Sequence, residues 1–117
     1  MTVDLTLLPK QKRPAGEVCC EPVALPGVSA ERAATLAAAA AALADPIRLQ
    51  IVDVLRSHAG EVCVCELLPL FDVSQPTLSH HLRKLRDAGL VGFVKRGIWS
   101  YYYVHPEALE ELRGWLA

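Results

Sequence analysis

A chain of 117 residues is long enough to bury one core and too short for two comfortable ones, and a composition 52% apolar and 21% charged excludes an intrinsically disordered chain. The formal net charge of −1 argues on its face against nucleic acid, but the charge is segregated: residues 74–104 carry five basic residues against one acidic, a net of +4, on a remainder of −5. A basic segment on an acidic body is the footprint of a local DNA-binding surface.

Residues 1–8 lack a basic residue leading into an apolar run, and the Ala-rich stretch near 33–44 is too short to span a bilayer. No membrane partner and a cytoplasmic location are therefore expected. In that reducing compartment the four cysteines are expected as thiols for metal or redox chemistry rather than as a disulfide framework.

Residues 1–28 hold Pro9, Pro14, Pro22 and Pro26 with little apolar periodicity, which reads as an extended arm carrying Cys19-Cys20. Residues 29–117 form the expected domain. Ser29 is placed to cap a helix through the Ala33–Ala42 tract, whose small side chains allow close approach of a neighbour. Asp45-Pro46 starts a second helix, with Ile47, Ile51, Val54 and Leu55 as its core stripe and Gly60 as its end. Val62-Cys63-Val64 reads as a short extended piece, followed by a two-turn helix near Val64–Phe71 that Pro69 shortens or bends.

A tight turn at Asp72-Val73-Ser74 leads into a helix capped by Ser74, running to about Ala88 and closed by Gly89. Leu90–Lys95 and Ile98–Val104, split by Arg96-Gly97, read as a β-hairpin. Pro106 opens a last helix whose Leu109, Leu112, Trp115 and Leu116 make a broad apolar stripe, a candidate to pack on a second subunit. The order is that of a mainly α (α+β) winged helix-turn-helix.

On a helical wheel Leu78, Leu82 and Leu85 cluster on one side of the helix that Ser74 caps, while Ser79, His80, Arg83 and Lys84 project from the opposite half. Gln75 and Thr77 sit in the first turn, where free N–H groups also face phosphate oxygens. These residues, with Ser74 and with Lys95 and Arg96 at the hairpin tip, are the expected contacts to double-stranded DNA. His80 and His81 point about 100° apart on a helix, so DNA contact or exposure is preferred over metal ligation, and His81 flanks the core edge.

Cys63-Val64-Cys65 lies at the start of the preceding helix, where the local positive potential is expected to lower thiol pKa. Fully helical, the two side chains would point about 200° apart; with Cys63 as the cap residue they converge. All four cysteines occur as two close pairs, Cys19-Cys20 and Cys63/Cys65, with no carboxylate-rich or His-rich cluster beside them, a donor set that selects soft or borderline ions.

The stretches Ala42-Leu43-Ala44-Asp45-Pro46-Ile47-Arg48, Cys63-Val64-Cys65-Glu66-Leu67 and Ser74-Gln75-Pro76-Thr77-Leu78-Ser79-His80-His81-Leu82, with the Gly97-Ile98-Trp99 hairpin, resemble the ArsR/SmtB family of metal-sensing repressors. The resemblance implies a homodimer joined through its outer helices, whose affinity for operator DNA drops when a metal binds. Arsenic-responsive members of that family often carry a C-x-C-x-x-C here, and the third position of this chain is Leu68. An As(III) or Sb(III) site then needs a thiol from elsewhere, and Cys19-Cys20 resembles the N-terminal pair of some arsenic sensors. Cd(II) and Pb(II) sensors of the family combine arm cysteines with the C-x-C as four thiolates. The zinc site on the last helix lacks suitable ligands after His105. A thiol redox-sensing repressor stands as another reading of the same cysteines. An enzyme is not expected, because there is no C-x-x-C beside a βαβ pattern and no phosphate or oxyanion loop.

Overall fold

The computed structural model describes Cys20 and residues 22–117, so most of the expected arm, Cys19 included, lies outside the described residues. In chain order these form α1 (Ala30–Leu43), α2 (Pro46–Arg56), β1 (Val62–Cys63), α3 (Val64–Leu67), a 3-10 turn (Leu68–Leu70), α4 (Gln75–Asp87), β2 (Val91–Arg96), β3 (Trp99–Val104) and α5 (Pro106–Leu116). The three strands make one antiparallel sheet in the order β1-β3-β2. This is a winged helix-turn-helix, mainly α with a small sheet.

Local chemistry sets most of the boundaries. Ser29 Oγ accepts from the Arg32 amide at 3.1 Å and opens α1. The Asp45 carboxylate accepts from Ile47 and Arg48 amides at 2.9 and 3.1 Å, and Pro46 supplies a first helical position that needs no N–H donor. α2 stops at Arg56, four residues before the expected Gly60. Ser57 Oγ donates to Asp53 O and His58 Nδ1 donates to Val54 O, each at 2.8 Å, so side chains satisfy carbonyls that a longer helix would have used. Exposed Ser57, His58 and Ala59 also offer no apolar face to hold a further turn.

The core centres on fully buried Ile51, Leu55, Leu67, Leu78, Leu82, Leu85 and Leu90. Val52 is also buried, whereas Ile47 and Val54 of the expected stripe are half-buried and pack at its edge. α2 touches α1, α4 and β3, so its buried face is turned and wider than a single stripe. Pro69 has the expected effect: after one turn of α3 the chain tightens into the 3-10 turn, since proline lacks the N–H that would continue an α-helix.

α4 ends in a Schellman motif. Gly89, at φ +78°, donates to Arg86 O at 2.9 Å, and buried Leu90 donates to Leu85 O at 3.0 Å. The hairpin turns one residue later than expected: Arg96 pairs with Trp99 in the ladder, and Gly97-Ile98 form the loop. A two-residue loop of this kind needs positive φ at its first position, which Gly97 provides at +64° without a Cβ penalty.

Gly92 pairs with Tyr103 across this hairpin, and a Cβ at Gly92 would lie 2.6 Å from Tyr103 Cζ. Gly92→Ala must therefore displace the Tyr103 ring, and a loss of about 1–3 kcal/mol is expected in urea unfolding. An unchanged midpoint would mean the ring moves freely. No single described helix is long and apolar enough to cross a membrane.

Candidate nucleic-acid interface and thiol pair

α4 is positioned by its own capping. Ser74 Oγ accepts from the Thr77 amide at 3.4 Å and donates to Thr77 Oγ1 at 3.0 Å, which fixes the entry of the chain into the helix. Leu78, Leu82 and Leu85 then face the core, and Gln75, Thr77, Ser79, His80, Arg83 and Lys84 are exposed on the other side. The polar residue types sorted by the wheel are thus all exposed, and Lys95 is exposed on the wing.

Three groups of side-chain contacts were not visible in the sequence pattern. His81 is 9% exposed, with Nδ1 3.5 Å from an Arg48 terminal nitrogen and 3.9 Å from Asp45 Oδ1, and Arg48 Nε donates to Ala42 O at 2.7 Å. This knot ties α4 to the α1–α2 junction. Asp45 is held below its ordinary pKa first by the Arg48 amide, against the opposing effect of burial, and then by the Ile47 amide and the nearby His81 and Arg48 charges. Arg86 lies 4.5 Å over the Phe93 ring, pinning β2 against α4. Arg96 is ion-paired with Glu61 and lies 5.2 Å from the Tyr101 ring centre, so this expected DNA contact has an internal partner.

Cys63 is the N-cap of α3. Its sulfur accepts from the Cys65 amide at 3.3 Å, while its own amide donates to the Glu66 carboxylate at 3.0 Å. That boundary is the one on which the two thiols converge rather than oppose. Cys63 is buried, and Cys65 and Cys20 are exposed. Among the described residues no three His, Cys, Asp or Glu side chains are assembled to hold an ion. Leu68, at the position of the missing third cysteine, packs against the core instead.

The expected fall in thiol pKa is not found for Cys65. Its thiol is pushed up first by the hydrogen bond with Cys63, then by burial and by the charges of Cys63 and Glu66, with its own backbone amide opposing. A helix of four residues has too little aligned dipole to overcome these neighbours. Because a thiol reacts as its anion, Cys65 is expected to alkylate with a pH midpoint above that of an unperturbed cysteine peptide. Iodoacetamide labelling followed by peptide mass spectrometry measures this, and a midpoint below the peptide's would restore dominance of the helix terminus.

The sequence model of the "Bacterial regulatory protein, arsR family" matches residues 45–92, from the α2 cap to the start of the wing. The arsenical resistance operon repressor of Bacillus subtilis is 44% identical over 71 residues, 61% of this chain and 67% of that protein. The chain belongs to the ArsR family. As a member it is a DNA-binding transcriptional regulator, not an enzyme. A Staphylococcus aureus homolog of the cadmium resistance regulatory protein CadC is 39% identical over 71 residues, 61% of this chain and 58% of that protein. The crystal structure of a possible transcriptional regulator for arsenical resistance superposes with a TM-score of 0.59 at 38% identity, over 65% of this chain and 77% of that one. Matches to curated relatives span from 47% to 79% of those proteins' own lengths.

Proposed function

We propose that this chain represses transcription from an operator that it binds as a homodimer, and releases the DNA when As(III) or Sb(III) is captured by cysteine thiolates. In this reading Gln75, Thr77, Ser79 and His80 face base edges, Ser74, Arg83 and Lys84 face phosphates, and the wing residue Lys95 lies toward the adjacent backbone, while Arg96 beside it is held by Glu61. Arm residues 1–28 supply Cys19 and Cys20, and residues 29–117 form the DNA-binding and dimerisation domain. The open apolar groove of about 490 Å³ between α1, α5 and Pro26–Val28, with Trp115 54% exposed beside it, supports pairing of the outer helices across a dimer.

The observation that carries the release reading is the cap at Cys63, which sets two cysteines together at the start of α3, ahead of α4. The ion supplies a soft, thiol-seeking centre. Two thiols do not complete a three-sulfur shell, so Cys19 and Cys20 are the proposed source of the rest. An ion held by Cys63 would act at the cap of α3, where the same sulfur accepts from the Cys65 amide, and would reset the start of that helix. That change passes through the 3-10 turn to Ser74 and the setting of α4, whose two copies must match half-sites about 34 Å apart.

Counting sulfurs around the bound ion by X-ray absorption tests the ligand set. Three around arsenic in the wild type are expected, falling when Cys19 and Cys20 are both replaced by Ser, a variant expected to keep DNA affinity and lose release. A shell of oxygens alone would overturn the reading. Cd(II) or Pb(II) bound by all four thiolates is a second reading, favoured by the likeness to the cadmium resistance regulator. A four-sulfur cadmium shell coupled to release, with no response to arsenite, would select it.

A further inference from the structure

We infer that Glu61 competes with operator phosphates for Arg96, and so sets how much the wing contributes to DNA binding. Arg96 pairs with Trp99 at the tip of the hairpin, yet its guanidinium lies over Tyr101, two positions down β3, and meets Glu61, the residue before Val62. Val62 pairs with Tyr102. A tip arginine that reaches these partners is folded back along the sheet instead of pointing off its end. Glu61 and Arg96 are 35 residues apart in sequence and meet only because β1 joins the wing sheet beside β3.

The neighbouring Lys95 is exposed and has no acidic partner among the described residues, which leaves it as the wing's available cation. A guanidinium already paired with a carboxylate displaces no counterions from DNA. Phosphate offers the same two-pronged, charge-assisted geometry that a carboxylate does, so the two are direct rivals for Arg96. The pair is open to exchange, since the Arg96 side chain is 58% and the Glu61 side chain 31% exposed. The inference rests on the proposed approach of the wing to DNA. It goes further in assigning Glu61, a residue outside the DNA surface, as the control on that contact.

The test is a double-mutant cycle on full-length protein, measuring affinity for duplex operator against salt concentration, without any thiol-seeking ion. Glu61→Gln frees Arg96 and is expected to tighten binding several-fold at low salt and to steepen the logarithmic salt slope by about 0.9, the value for one added phosphate contact. Arg96→Gln alone is expected to leave the slope unchanged, and Glu61→Gln with Arg96→Gln to return it to the wild-type value. A slope that flattens by about 0.9 in Arg96→Gln alone would show Arg96 already on phosphate and overturn the inference. An equal steepening by Glu61→Gln in the Arg96→Gln background would reduce Glu61 to a general charge effect and overturn it too. Failure of the wild type to bind duplex DNA with any salt dependence would remove the DNA interface itself, an outcome distinct from either.

Discussion

Cys63→Ser is expected to bind operator DNA as the wild type does and to lose release by arsenite. Serine is a good N-cap, and its oxygen can take the Cys65 amide that the Cys63 sulfur accepts at 3.3 Å. The helix start is therefore kept while the ion loses a ligand. Allosteric couplings of about 1–3 kcal/mol correspond to a roughly 5- to 150-fold fall in affinity, and in this variant the fall should shrink to less than about twofold. Cys63→Ala separates the two roles: it removes the cap as well, at a cost of about 1 kcal/mol, and leaves the Cys65 amide without its partner. Fluorescence anisotropy for release and urea unfolding for stability read the two variants. A Cys63→Ser protein that still lets go of DNA on arsenite would take Cys63 out of the sensing site.

Leu82→Ala is the substitution with the largest expected loss of stability. Leu82 is fully buried on the inner face of α4 between Leu78 and Leu85, which are buried to the same degree, with His81 alongside. Truncation removes three carbons from that contact and leaves a cavity that the rigid helix closes only in part, at about 2–5 kcal/mol. Small domains have roughly 5–15 kcal/mol in all, so a large share of the fold's margin is lost. Operator binding should fall in step with the folded fraction. Arg83→Ala, the next residue along and on the exposed face, is expected to leave the stability read by urea unfolding within about 0.5 kcal/mol and to weaken operator binding, with a salt slope shallower by about 0.9. If Leu82→Ala cost less than about 1 kcal/mol, the inner face of α4 would not be a packed core.

The parts of the fold that are decided locally were legible in the sequence. Ser29, Asp45, Ser74 and Gly89 act within a few residues of themselves, and each occupies the boundary its chemistry predicts. Leu78, Leu82 and Leu85 share a face because helical spacing puts them there. What escaped the sequence reading depends on groups distant in the chain or on competition between neighbours. The His81–Arg48 contact spans 33 residues and the Arg96–Glu61 pair spans 35, and neither follows from any local pattern. The end of α2 went four residues too far because Gly60 is a stop signal, yet Ser57 and His58 had already satisfied the last carbonyls. At Cys65 the sequence marks a helix terminus, but the sign of the pKa shift turns on Cys63 and Glu66, whose placement depends on which residue caps α3.

The sequence shows the cysteines as two close pairs and the departure at Leu68, and the structure adds that Leu68 is committed to packing. The account therefore turns on whether a chain whose α3 carries only two thiols still responds to a thiol-seeking ion. Operator-bound wild-type protein titrated with arsenite, followed by the anisotropy of a labelled duplex at fixed salt and pH, tests this most directly. The account predicts release at stoichiometric arsenite, reversed by a competing dithiol and absent in Cys63→Ser. Anisotropy that stays at its bound value with arsenite, cadmium and lead alike would contradict it.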